Sequence, residues 1–258
     1  MNKCLVKNQS AIFAFLIILA FVSDIKAEIN SSIYIGVRTK PSGNNIIAEG
    51  AYDGLLWGAY QKDNPLYGYY RAGLRGGGSP TAEAFLQISP IAPLVFEVQK
   101  GSTYRFFSTS NFDCEKIQCQ GAVERTEYSV KLGAGYQKIV FLGGLLWRDL
   151  KTPVETKKVF IELENFIVIP GSHRYFESYA LLGYKLPNDR LAAIVYSAGE
   201  ISGSDQRSSS LYGVYRMKWQ QNAMSIAVGS YISSHEHLTG PSAVFSLTRS
   251  FGESLSLF

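Results

Sequence analysis

From about residue 30 to the C-terminus, apolar and polar residues alternate with a period of two. Ile33, Ile35 and Val37 share one face, against Ser32, Tyr34, Gly36 and Arg38. Leu66, Gly68, Tyr70, Ala72 and Leu74 oppose Tyr67, Tyr69, Arg71, Gly73 and Arg75, and Leu94, Phe96 and Val98 oppose Val95, Glu97 and Gln99. The same alternation sets Tyr128, Val130 and Leu132 against Glu127, Ser129 and Lys131, and Val159, Ile161 and Leu163 against Phe160, Glu162 and Glu164. It returns in Leu211–Trp219 and in Met224–Ile232. Successive side chains of a strand point to opposite faces, so this pattern predicts strands with one apolar side. No helical stripe of comparable length accompanies it, and no later apolar run approaches the ~20 residues of a membrane helix. The fold class is all-β.

Alternating strands build either a soluble antiparallel sandwich or a transmembrane barrel, and the polar face separates the two. A soluble sheet fills that face with Lys, Glu, Thr and Ser. Here it carries Gly, Tyr, Ala and isolated charges, as a crowded lumen would. Charged residues are only 18% of the chain, with 16 Tyr, 15 Phe and 24 Gly, which argues against disorder. Segments such as 92–107, 122–134 and 157–169 exceed a soluble strand and hold the ~9–11 residues of a tilted spanning strand. Tyr60, Tyr104, Tyr136, Trp147, Tyr184 and Trp219 recur near segment ends, where an interfacial girdle belongs.

The N-terminus reads as an export signal. Lys3 and Lys7 precede twelve consecutive apolar residues, Ala11 to Val22, and the segment closes on Ala27. Twelve helical residues span ~18 Å, short of a ~30 Å hydrocarbon core. Residues 1–27 are therefore assigned to a signal peptide and 28–258 to the barrel; an uncleaved anchor is the alternative. The formal net charge of +4 falls to +2 without Lys3, Lys7, Lys26 and Asp24. No basic stripe is present, so no nucleic-acid partner is expected. Cys4 leaves with the signal. Cys114 and Cys119 are expected to form a disulfide that pins one loop, with zinc as the alternative reading.

An export signal, Tyr/Gly-rich alternating strands over 28–258 and a C-terminal Phe258 resemble bacterial outer-membrane β-barrel proteins. The resemblance is one of pattern, without a family-specific motif. It implies location in the bacterial outer membrane, lipid and lipopolysaccharide as surroundings, and insertion by the barrel-assembly machinery. It leaves the oligomeric state open. One departure stands out: Phe245, Leu247, Phe251, Leu255 and Leu257 share the odd phase, and Phe258 falls off it.

Thirteen alternating segments can be counted, roughly 30–40, 46–61, 66–76, 81–89, 93–108, 121–134, 136–149, 156–169, 173–186, 190–202, 209–220, 223–235 and 241–258. Bacterial single-chain barrels have even counts. The expectation is twelve strands, with fourteen as the rival. The discrepancy is placed between 169 and 190, or in a last segment that is really two. Odd-numbered connections should be the long ones; Gly133-Ala134-Gly135 and Pro170-Gly171 are read as tight turns six and eight, and the alternation inverts after about residue 186.

Candidate chemistry centres on charges in the inward phase. The basic ones are Arg71, Arg75, Arg105, Arg125, Lys131, Arg216 and Lys218; the acidic ones are Glu97, Glu127, Glu162 and Glu164. Facing lipid, such charges would cost ~2–4 kcal/mol each at the midplane, which favours the lumen. With inward glycines (Gly36, Gly73, Gly133, Gly229) read as leaving space, the expectation is a narrow pore for small polar or anionic solutes, leaning to anions. The alternatives are a sealed structural or surface-interaction barrel and a lipid-modifying hydrolase. For the last, Ser233 and the His235 and His237 pair share a face, but the Ser-x-His order is reversed relative to outer-membrane lipases. Ser172-His173 with Glu177 is a weaker cluster. No catalytic residue, metal or cofactor is assigned.

Overall fold

The structure is a computed structural model. It describes residues 28–39, 42–60, 66–77, 81–105, 121–151, 160–161, 168–169, 173–234 and 239–251. The leader, Cys114 and Cys119, Glu162 and Glu164, Pro170-Gly171, His235 and His237, and Phe258 lie outside the described residues.

Twelve long strands form one closed antiparallel barrel. In chain order they begin with β1 (Glu28–Thr39), β2 (Ser42–Trp57), β3 (Gly68–Gly77), β4 (Thr81–Ile91), β5 (Leu94–Arg105), β6 (Gly121–Tyr136) and β7 (Ile139–Lys151). A two-stranded hairpin, β8 (Phe160–Ile161) and β9 (Val168–Ile169), stands apart from the barrel sheet. The barrel resumes with β10 (His173–Leu186), β11 (Arg190–Ile201), β12 (Arg207–Trp219), β13 (Asn222–Ser233) and β14 (Gly240–Phe251). β1 pairs with both β2 and β14, which leaves the barrel sheet no edge.

The count of twelve agrees with the expectation, but the surplus segment is a different one. Residues 173–186 are a genuine barrel strand, and β7 pairs directly with β10. Among the described residues, the alternating stretch 156–169 contributes the short β8–β9 pair, in which Phe160 pairs with Ile169. Pro170-Gly171, read as a tight turn, lies outside the described residues, between β9 and β10 in the sequence. With that segment removed, the parity no longer inverts. The two longest connections, 106–120 and 152–172, leave the same end as those at 202–206 and 234–239. The opposite end carries the 58–67 connection and the shorter 92–93, 137–138, 187–189 and 220–221, together with the start of β1 and the end of β14. Gln137, Asn188, Asp189 and Gln220 adopt left-handed backbone in these short turns, the geometry that a right-twisted hairpin demands.

The strands tilt steeply. One row of cross-strand partners runs Phe251, Ser31, Gly50, Leu74, Ala84, Lys100, Thr126, Asp149, Arg174. It starts at the short-turn end of β14 and finishes at the long-loop end of β10, as barrel closure requires of tilted strands. The outward phase is apolar: Leu74 is 68% exposed, Val228 63% and Leu182 60%. Large apolar side chains left this open suit a lipid-facing surface. At the long-loop end the apolar band is bordered on part of its circumference by outward ion pairs, Arg174 Nε with Asp149 Oδ1 at 2.7 Å and Arg207 with Glu200 at 3.8 Å.

Candidate functional site

The inward face of β2 to β7 concentrates charge. Glu49 and Asp53 lie four residues apart on β2, as do Arg71 and Arg75 on β3. The antiparallel register sets Asp53 against Arg71 and Glu49 against Arg75. Arg71 donates from Nη1 to Asp53 Oδ2 at 3.1 Å and from Nη2 to Glu49 Oε1 at 2.5 Å. Arg75 donates from Nε to the other Glu49 oxygen at 2.5 Å, and from Nη1 to Glu97 Oε1 at 2.9 Å and Gln99 Oε1 at 2.5 Å. Its guanidinium also lies over the Phe85 ring, 4.2 Å from the centroid. Glu97 is further bound by Gln87 Nε2 and Lys131 Nζ, each at 2.7 Å. Arg125 pairs with Glu83 at 2.5 Å, and Arg148 pairs with Glu127, donating from Nε at 2.8 Å.

These ion pairs join five carboxylates (Glu49, Asp53, Glu83, Glu97, Glu127) to five cations (Arg71, Arg75, Arg125, Lys131, Arg148). The basic excess expected from the sequence is thus offset on this wall by Glu49, Asp53 and Glu83, which the periodicity had not singled out. Arg148 was missed as well, because both phases of β7 are apolar around it (Leu146 inward; Leu145 and Trp147 outward). One signal was present in the sequence: equal four-residue spacings of two acids and two arginines on neighbouring segments. Among the other expected residues, Arg105 ends β5 opposite Gly121. Arg216 and Lys218 are inward-phase residues of β12, registered with Ser225 and Ala223.

The facing wall, β11 to β14 and β1, is different in kind. Its inward phase carries Ser197, Ser208, Ser210, Ser225, Ser242 and Ser246, interspersed with Ala193, Ala223, Ala227 and Val244. Hydroxyls satisfy one another across strands: Ser197 with Ser210 at 2.9 Å, Ser225 with Ser246 at 2.5 Å, and Tyr212 donating to Ser242 at 2.9 Å. Several inward glycines do not leave space, contrary to the sequence reading. A Cβ on Gly73 would lie 2.8 Å from the Phe85 ring, and Gly36 lies beneath its neighbour Tyr34. Tyr179 covers Gly144 and Tyr175 covers Gly199 in the same way.

Two apolar clusters narrow the lumen from opposite ends. Tyr67, Tyr69, Ala92 and Val95 pack at the short-turn end of β3 to β5, where Tyr60 meets Tyr67 edge-on at 5.5 Å between ring centroids. Val123, Leu150, Tyr175 and Ile201 pack at the long-loop end of β6 to β11. On the ion-paired wall the side chains of Arg75 and Lys131 keep 23% and 26% exposure. The hydrolase candidates find no constellation among the described residues. Ser233 is tied into a turn, its N–H donating to Thr239 Oγ1 at 3.0 Å. Glu177 accepts from Tyr175 at 3.0 Å, while His173 stands opposite Leu150.

A closed twelve-stranded sheet with an apolar outside and an ion-paired inside decides the class. The chain folds as an outer-membrane β-barrel. No family model matches it, and no curated protein does. Among solved structures it is similar to the anion-selective porin from Comamonas acidovorans, at 7% identity and a TM-score of 0.41 over 88% of this chain and 100% of that one. It is also similar to the KdgM porin, at 11% identity and a TM-score of 0.42 over 86% and 99%. An outer-membrane channel from Pseudomonas putida F1 matches at 11% identity and a TM-score of 0.45, over 86% and 95%. At such identities no residue of the barrel is assigned a role from these neighbours.

Proposed function

We propose that the barrel is a narrow water-filled pore for small polar solutes across the bacterial outer membrane, with its termini and short turns at the periplasmic side. The observation that carries this reading is the asymmetry of the lumen. An ion-paired wall on β2 to β7 faces a wall of small hydroxyl-bearing residues on β11 to β14. Buried charges are tolerated only when paired or hydrated, and a dry plug would more economically be built from Leu, Phe and Met. Arg75 and Lys131 retain partial side-chain exposure in the inward phase, which supports water along that wall. The two apolar clusters draw on β6 to β11 at one end and β3 to β5 at the other, which is consistent with a restriction on solute size.

Liposome swelling tests the reading. Vesicles carrying the refolded protein should admit small sugars and amino acids, with rates that fall steeply as solute size grows. Vesicles that stay impermeable to the smallest solutes would support the sealed barrel instead.

A further inference from the structure

Among the described side chains the β2–β7 wall balances five carboxylates against five cations, which leaves the question of which charges a passing solute meets. Three further inward-phase cations lie together at the short-turn end of β10 and β12, while Arg38 lies at the other end of β1, over the Tyr231 ring. Lys185 is registered with Leu191, Leu191 with Arg216, and Arg216 with Ser225, so Lys185 and Arg216 occupy one row two strands apart. At the strand spacing of ~4.8 Å that places their backbones ~10 Å apart. Lys218 is the next inward residue on β12, opposite Ala223. All three are exposed, and among the described residues none has an ion-pair partner. The neighbouring inward positions are Ala193, Val214, Ala223 and the Ser225–Ser246 hydroxyl pair, none of them acidic. The acid placed by a direct backbone contact is Asp189, whose carbonyl accepts the Lys218 N–H at 3.1 Å. Among the described residues registered beside these three cations, no acid faces them from β11, β13 or β14.

We propose that Lys185, Arg216 and Lys218 form the charge filter of the pore, and that its preferred solutes are small anions. The inference rests on the pore reading and adds the substrate class to it. Arg71 and Arg75 supply no such preference, because each is held by carboxylates on the charged wall. At the same end, apolar side chains pack on the β3–β5 side, whereas the cations stand across the barrel on β10 and β12. In water a unit charge ~8 Å from a passing ion changes its local concentration roughly twofold. Three such charges therefore suffice for a clear preference at low salt.

The experiment is the reversal potential of the refolded protein in a planar bilayer under a potassium chloride gradient. Wild type should prefer chloride, and the preference should fade toward 1 M salt, where screening shortens to ~3 Å. Replacing all three cations (K185S, R216S and K218S together) should reduce the chloride-to-potassium permeability ratio several-fold while conductance persists. Lys218→Glu alone should move the ratio the same way by roughly the twofold step of one charge or more. A conducting wild type without chloride preference, or conducting variants with an unchanged ratio, overturns the filter and leaves the pore standing. A wild type that does not conduct overturns the pore reading, and the filter with it.

Discussion

Asp53 stands directly opposite Arg71 in the register of β2 and β3, with Arg71 Nη1 3.1 Å from Asp53 Oδ2 and Asp53 fully buried. The pair illustrates how the lumen is held. Removing one partner of a buried pair strands the other charge, at a typical cost of ~3–5 kcal/mol. Asp53→Ala should fall at the low end of that range, since Arg71 keeps Glu49. The double variant D53A/R71M should recover most of the loss. Urea unfolding of the lipid-reconstituted protein measures both; a single variant as stable as wild type would mean the pair is not buried.

The outward phase sets a second expectation. Leu182 and Ile194 are paired neighbours on β10 and β11, about 60% and 59% exposed toward the bilayer. Ile194→Arg should destabilise the membrane-inserted barrel by ~2–4 kcal/mol if it lies near the midplane. Ser197→Arg, inward on the same strand, should cost less because its head reaches water. Equal costs at the two positions would contradict the assigned phase.

The glycines separate cover from space. An added Cβ on Gly73 would press on the Gly50 carbonyl oxygen and the Phe85 ring, whereas a Cβ on Gly50 would meet nothing within 4 Å. Gly73→Ala should therefore destabilise by ~1–3 kcal/mol, the usual range for overpacking. Gly50→Ala should be neutral within ~0.5 kcal/mol, as surface changes are. Thermal loss of the gel-resistant folded form ranks the two variants against wild type, and the reverse order would contradict the register of β2 and β3.

Much of this architecture was legible in the residues. In β1, β3, β5, β6, β12 and β13 the apolar phase of the sequence is the outward phase of the barrel, because lipid outside and charge inside impose opposite chemistries on alternate residues. Where both faces are apolar, as around Arg148 on β7, periodicity is silent on direction. Residues 156–169 show the converse failure. Alternation there reports strand-like character, but membership of the barrel depends on which strand pairs with β7, and local pattern does not encode that choice. The charged wall was half visible for a related reason. Glu49 and Asp53 sit among Gly50, Ala51 and Tyr52, where no strong apolar face marks the phase; their match to Arg71 and Arg75 emerges only from pairing.

Cys114 and Cys119 carry a separate expectation from the sequence: a disulfide closing a small loop. Mass spectrometry of protein purified without reductant should find the bridge, and reduction should leave the barrel folded, since a short loop adds little to the twelve-stranded closure. Two free thiols would reject it.

Single-channel recording tests the account most directly. The refolded protein in a planar bilayer should open discrete, ohmic conductance steps at high salt, as a water-filled lumen beside the serine wall requires. A correctly folded, inserted barrel that carries no current across repeated insertions would contradict the account.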